Sequence, residues 1–314
     1  MTDQTTYKNL LSLADINVNN LTFDTVVTQE TIKQTLSLTI LRLDKIHEDV
    51  SGNKLFKLYY FIEDCLKSGH NTLITFGGAY SNHLVATAYL CNQQGIKSIG
   101  IVRGEKPERL SHTLNRCLDF GMELKFVSRE EYSEFEGDEK NMESLKKIYG
   151  AFTLVPEGGY SATGAKGATL IMDIIKDQNY THVCTAVGTA TTLAGLLIRK
   201  ENNQEVIAIP VIKNMHDIPL RLNYLGVAAT NEPVIFGDYH FGGYVKHTME
   251  LIDFMNSFYA ETRIPTDFVY TAKMMYGINE QINSGYFKDG SKIVCIHTGG
   301  LQGNKSLPAG TLIF

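Results

Sequence analysis

The segment His182-Val183-Cys184-Thr185-Ala186-Val187-Gly188-Thr189-Ala190-Thr191-Thr192-Leu193-Ala194-Gly195 changes period partway along, and the fold is read from that change. Up to Val187 it is a short apolar run of strand length. Gly188 breaks the run, and from Thr192 to Lys200 the apolar residues suit a helix. A strand that feeds a helix through such a turn aims backbone N–H groups beyond the strand end. The hydroxyls of Thr189, Thr191 and Thr192 join them at a positive helix end, which makes a ready phosphate cradle. The turn lacks the Gly-x-x-x-x-Gly-Lys-Ser/Thr pattern of a nucleoside-triphosphate loop. It also lacks Gly-x-Gly-x-x-Gly, which disfavours a dinucleotide and hence an NAD-dependent enzyme. A phosphate site with no adjacent lysine and no acidic ribose reader points to a small phosphorylated cofactor.

The same alternation extends in both directions. Strands are expected at Thr72–Phe76, Ser98–Val102, Glu123–Val127, Ala151–Val155, Val206–Pro210 and Lys292–His297, with a strand-like stretch at Leu38–Leu43. Helical spacing falls at Lys54–Ser68, Asn82–Asn92, Glu108–Phe120, Thr163–Gln178, Thr192–Lys200 and Thr248–Thr262. Strands alternating with helices predict an α/β fold with mainly parallel sheet, and a ligand beyond the carboxyl ends of the strands. The charged stretch Ser128–Lys147 reads as a solvated surface element.

Composition narrows the class. Of 314 residues, 43% are hydrophobic and 20% charged, with a net charge of −5, so neither nucleic acid nor an anionic membrane is an expected partner. Cys65, Cys91, Cys117, Cys184 and Cys295 form no C-x-x-C pair and sit in apolar segments. They read as reduced core thiols of a cytoplasmic protein. The N-terminal MTDQTTYKNLLSLADINVNN is polar and is not read as a signal peptide, and no stretch has the length of a membrane span.

Two further turns resemble the first in design. In Ser51-Gly52-Asn53-Lys54, the lysine opens a helix, where the helix dipole lowers its pKa and favours the neutral amine that Schiff-base chemistry needs. Standing alone, the tetrapeptide reads better as a solvated helix-start lysine than as a cofactor site. In Thr75-Phe76-Gly77-Gly78-Ala79-Tyr80-Ser81-Asn82-His83, a strand ends in two glycines and Ser81 can cap the next helix. That segment serves a ligand or a simple capped turn equally well, with His83 either shaping the site or lying on a surface.

Taken in order, S-G-N-K, G-G-x-x-S-N-H, P-E-G-G (Pro156–Gly159), G-T-x-T-T-x-A-G and H-T-G-G (His297–Gly300) resemble the pyridoxal-phosphate-dependent aminocyclopropane-carboxylate deaminase and D-cysteine desulfhydrase family, over roughly residues 36–305. Phe241-Gly242-Gly243-Tyr244 and Val269-Tyr270-Thr271-Ala272-Lys273 add to the likeness. The resemblance implies a fold type II enzyme, with two parallel-sheet α/β domains and pyridoxal 5'-phosphate in the cleft between them. It implies a small domain at 70–155 and a large one from 1–69 with 156–314, in a homodimer. By position, it implies that Lys54 holds the cofactor as a Schiff base, Asn82 meets its phenolic oxygen, Gly188, Thr189, Ala190, Thr191 and Thr192 surround its phosphate, and Thr298 meets its ring nitrogen. Ser81, Asn82, His83, Tyr244, Tyr270 and Thr271 fall on the substrate side, with Lys54, Ser81 and Tyr270 catalytic.

This chain departs from the deaminases of the family at Thr271, where they carry glutamate, and at Thr298, where they carry leucine. A neutral hydroxyl near the ring suits β-elimination of a good leaving group better than opening an unactivated ring. Tyr80, Tyr160 and Leu301-Gln302-Gly303-Asn304 also differ from the family pattern. The expectation is therefore β-elimination of D-cysteine or a similar amino acid to pyruvate, ammonia and sulfide. The alternatives are aminocyclopropane-carboxylate deamination to 2-oxobutyrate and ammonia, or cofactor binding without significant turnover.

Overall fold

A computed structural model describes residues 9–10, 12–13, 16–17, 20–135 and 138–314. Most of the polar N-terminal stretch, and residues 136–137 of the charged stretch, lie outside the described residues.

Among the described residues, ten strands form two sheets. They are β1 (Thr22–Val26), β2 (Ser37–Arg42), β3 (Thr72–Gly77), β4 (Lys97–Arg103), β5 (Glu123–Val127), β6 (Thr153–Val155), β7 (His182–Val187), β8 (Glu205–Pro210), β9 (Val234–Ile235) and β10 (Lys292–Ile296). The larger sheet has the order β1-β2-β10-β7-β8-β9 and the smaller β5-β4-β3-β6. Every pairing is parallel except β1 with β2. The inner strands are buried on both faces, which is why they read as continuous apolar runs; all six residues of β3 are buried. The smaller sheet comes entirely from residues 72–155, between the two segments that build the larger one.

One apolar cluster joins the sheets. It takes in Leu41 and Val183 from the larger, Leu73 and Val155 from the smaller, and Leu55, Leu58 and Ile62 from the helix Lys54–Lys67 between them. That burial explains the amphipathic pattern of this helix, and it fixes Lys54 at the junction of the sheets.

Most element boundaries match the periodicity, and the differences have local causes. The helix expected from Glu108 begins at His112, because Ser111 is extended (φ −61°, ψ 159°) and its Oγ accepts the Leu114 N–H at 3.1 Å. Thr163–Gln178 breaks into Ala162–Ala168, Leu170–Ile175 and a 3₁₀ turn. The helix Thr271–Asn283 and strand β1 were not anticipated. In the charged stretch, Arg129–Phe135 and Glu139–Tyr149 are helices. All five cysteines are buried and free. Among the described residues no helix is long and apolar enough to cross a membrane, and no side-chain cluster has the makings of a metal site.

Candidate active site

The turns after β2, β3, β7 and β10 meet at one cavity. Its walls include Asn53, Lys54 and Lys57, then Asn82, Gly158, Ala186–Leu193, Tyr270 and Thr298–Gly300. Chain segments far apart in sequence touch here backbone to backbone. Gly52 (φ +75°) packs so closely that a Cβ there would lie 1.9 Å from the Thr298 carbonyl oxygen. S-G-N-K and H-T-G-G therefore form one wall, which only glycine at position 52 permits.

The turn after β7 has the form of an anion site. The helix Thr191–Arg199 starts at Ala190, held in the left-handed region (φ 67°), and no side chain caps it. Its first residues are buried, so its first-turn N–H groups have neither a capping side chain nor bulk water. A non-glycine residue at positive φ is strained, and such strain concentrates at binding sites. Thr189 and Thr191 hydroxyls lie 2.9 Å apart. Gly188 leaves room for a ligand, since a Cβ there would stand 3.2 Å from the Tyr270 ring.

Lys54 is half-buried in the cavity wall, and its amine donates to Asn53 Oδ1 at 2.7 Å. Asn53 Nδ2 in turn donates to Thr192 Oγ1 at 2.7 Å, so one asparagine links the lysine to the anion turn. Desolvation lowers the Lys54 pKa to about 8, with the Asp267 carboxylate pulling the other way. The lowering expected of a lysine at this helix start is present, and its cause is burial.

Lys57 was not singled out from the sequence. One helical turn beyond Lys54, it is buried, donates to the Gly158 carbonyl at 3.4 Å and lines the same cavity. Desolvation, and then the nearby Lys54 charge, hold its pKa well below the ordinary lysine value. Two lysines in one buried wall, beside an uncapped helix end, leave a site short of negative charge. A phosphate would satisfy all three features, so the residues present fit the group that the turn suggests. The lysine absent beside the turn in sequence arrives from another element, and its i, i+3 spacing from Lys54 was the signal available.

The remaining expected residues divide. Asn82, Tyr270 and Thr298 line the cavity. Ser81 is not among the lining residues; it precedes Asn82 as the N-cap of the helix Asn82–Gln93, its Oγ accepting the Leu84 N–H at 3.4 Å. His83 is buried behind that wall. Because Thr75 Oγ1 donates to the Val155 carbonyl at 2.9 Å, it must accept from His83 Nε2 at 2.8 Å, and this places the ring proton on Nε2. Burial, with the charges of Lys54 and Lys57, lowers the His83 pKa to about 3, so the ring stays neutral. Tyr244 is half exposed outside the cavity and accepts a hydrogen bond from the Tyr270 hydroxyl at 3.2 Å. Burial above all keeps Tyr270 protonated, its pKa well above the usual phenol value.

Thr271 does not reach the cavity. Its hydroxyl donates to Asp267 Oδ1 at 2.7 Å. Asp267, also unanticipated, accepts from the backbone N–H groups of Val269, Tyr270 and Thr271 as well, at 3.0, 2.9 and 2.9 Å. This buried carboxylate caps the helix that presents Tyr270. His297, just beyond the end of β10 and not in the strand as expected, donates from Nε2 to the Pro265 carbonyl at 2.8 Å and is a satisfied histidine.

Comparison with known proteins agrees with the phosphorylated cofactor that the turn suggests. Residues 32–299 match the family described as pyridoxal-phosphate dependent enzyme. A Thermotoga maritima protein named "putative 1-aminocyclopropane-1-carboxylate deaminase" is 32% identical over 284 residues, covering 81% of this chain and 85% of that one. A Pyrococcus horikoshii protein of the same name is 29% identical over 269 residues, covering 81% of each. The crystal structure of an "ACC deaminase homologue" superposes with a TM-score of 0.78 at 25% identity, covering 94% of this chain and 96% of the other.

Proposed function

This chain belongs to the pyridoxal-phosphate-dependent enzymes, and from that premise we propose that it is a lyase eliminating the β-substituent of a small amino acid, D-cysteine first among candidates. The reaction is D-cysteine plus water giving pyruvate, ammonia and sulfide. One observation carries the choice of elimination. None of the residues lining the cavity is an acid, and the nearby Asp267 is saturated by four hydrogen bonds. A site with no acid beside the ring suits departure of a good leaving group better than opening of a cyclopropane.

When bound, pyridoxal 5'-phosphate supplies a conjugated sink for the electrons released as a proton leaves the α-carbon. Gly188 to Thr192 and Lys57 would hold its phosphate, Lys54 would bind it covalently, and Asn82 and Thr298 would hold its ring. Lys54, partly neutral at pH 7, takes the α-proton on Nζ. Ser81 orients the substrate carboxylate from the helix N-terminus. Tyr270, kept protonated by burial, is a neutral wall of the site, and the sulfur leaves as HS⁻ without needing an acid.

The names of the relatives favour a second reading, the deamination of aminocyclopropane-carboxylate to 2-oxobutyrate and ammonia. The test is product analysis on both compounds with wild type and Lys54→Ala. Elimination predicts pyruvate and sulfide from D-cysteine, with 2-oxobutyrate formed at least about tenfold more slowly from the cyclic compound. Faster 2-oxobutyrate formation would reverse the assignment, and full turnover by Lys54→Ala would sink both readings. The two sheets support a division into domains at 70–155 and the remainder. The family resemblance supports a homodimer, and five free, buried cysteines suit the cytoplasm.

A further inference from the structure

The segments Phe241–Tyr244 and Val269–Lys273 meet in three dimensions through one side chain. Lys273 is fully buried in the first turn of the helix Thr271–Asn283. Its ammonium donates to the carbonyl oxygens of His240 at 2.8 Å and Gly243 at 2.7 Å. No ion pair is made to it among the described residues; burial draws its pKa down to about 8, and the Asp267 charge acts the other way, favouring the ammonium. A buried cation facing only carbonyls, at the positive end of a helix, is a costly arrangement, so what it fastens matters.

It fastens a strained turn. Phe241 (φ 49°), Gly242 (90°), Gly243 (118°) and Val245 (59°) all have positive φ, which is rare for phenylalanine and more so for a β-branched valine. Such a turn persists only where its surroundings over-determine it. Both carbonyls that Lys273 binds also close the turn from within, accepting the N–H groups of Gly243 at 3.0 Å and Lys246 at 3.1 Å. One turn along the same helix, Tyr276 packs edge-on against Phe241 with ring centroids 4.9 Å apart. The fastened turn presents Tyr244, whose ring and hydroxyl meet Tyr270, the residue immediately before the helix. The loop, the helix and the cavity-lining tyrosine thus form one closed circuit.

We propose that Lys273 is a positioning residue, which clamps the Phe241–Val245 turn so that Tyr244 holds Tyr270 in place at the cavity. The proposal rests on the reading of Tyr270 as a residue of the reaction site, but its first test does not need a substrate. Hydrogen exchange of the peptide spanning residues 238–247 is compared in wild type, Lys273→Met and Lys273→Gln. The clamp predicts exchange about tenfold or more faster in Lys273→Met, intermediate in Lys273→Gln, which keeps a donor, and unchanged in the peptide carrying Gly188–Thr192. The second test is kinetic, at matched cofactor occupancy. Lys273→Met and Tyr244→Phe should each lower kcat/KM for D-cysteine, chiefly through KM, and the double variant should be no worse than Lys273→Met. Wild-type exchange in either Lys273 variant would overturn the clamp, as would losses that multiply in the double variant. If Lys273→Met does not fold, Lys273→Gln decides the exchange test alone. If D-cysteine is not turned over, the elimination reading falls while the exchange result still judges Lys273.

Discussion

The amine of Lys54 should titrate near pH 8 in the cofactor-free protein, and this can be measured without any knowledge of substrate. Burial in the cavity wall disfavours the ammonium and outweighs the attraction of Asp267, so the pKa falls from the ordinary 10.5 to about 8. At pH 7 the neutral fraction is then roughly 10%, against about 0.03% for an unperturbed lysine, a difference of some 300-fold in available nucleophile. Competitive acetylation between pH 6 and 11, read peptide by peptide by mass spectrometry and scaled to each lysine's own plateau, gives the midpoint. Exposed Lys67, paired with Glu63 at 2.8 Å and shifted upward by that hydrogen bond, is the internal reference and should reach its midpoint above 10.5. The same lowering has a sign for stability. Between pH 8 and 10.5 the unfolded chain holds a proton that the folded Lys54 has lost, so folding stability rises with pH through that window. Below pH 8 the penalty is present in full. It is at most about 3 kcal/mol, and roughly half that once screening by water in the cavity is allowed for. Lys54→Met should therefore gain in urea stability relative to wild type at pH 7, with the gain shrinking toward pH 10.5. A Lys54 midpoint above about 9.5 would refute the argument, because burial would then not govern this amine.

Three further outcomes follow from individual contacts. Lys57→Met should weaken pyridoxal phosphate binding by roughly tenfold or more, the worth of a charge-assisted hydrogen bond, while leaving the affinity for pyridoxal unchanged; equilibrium dialysis with both compounds decides this. Gly52→Ala should cost about 2 kcal/mol or more in urea unfolding, because its Cβ would sit 1.9 Å from the Thr298 carbonyl oxygen on a backbone at φ +75°; a loss below about 0.5 kcal/mol would contradict the close approach. Thr75→Val should cost about 1–3 kcal/mol by stranding the His83 Nε2–H, whereas Thr75→Ser should behave as wild type.

What was legible in the sequence is what short stretches determine alone. β7, its turn and the following helix fall within twenty consecutive residues, so period, turn chemistry and helix start could be read directly, and the anion turn with them. Ser81 as a cap belongs to the same class, and Lys54 at the head of its helix could be placed from four residues, whereas the Ser111 cap, which moves a helix start from Glu108 to His112, was not read. The antiparallel β1 escaped notice because TFDTV half-buries its residues and presents no continuous apolar run.

Tertiary structure decided which of these stretches share a wall. Asn53 meets Thr192 across 139 positions and Lys57 meets Gly158 across 101, and no local periodicity records such pairs. Thr271 shows the converse: its position beside Tyr270 suggested a substrate contact, yet packing of the 267–271 turn commits its hydroxyl to Asp267. The sequence alone determined the strand–turn–helix units and the chemistry at their ends, because dihedral preference and hydrophobic period act over a few residues. Only the tertiary structure decided which polar groups face the cavity and which are consumed in holding it, because desolvation and hydrogen-bond competition depend on every element that packs around a group.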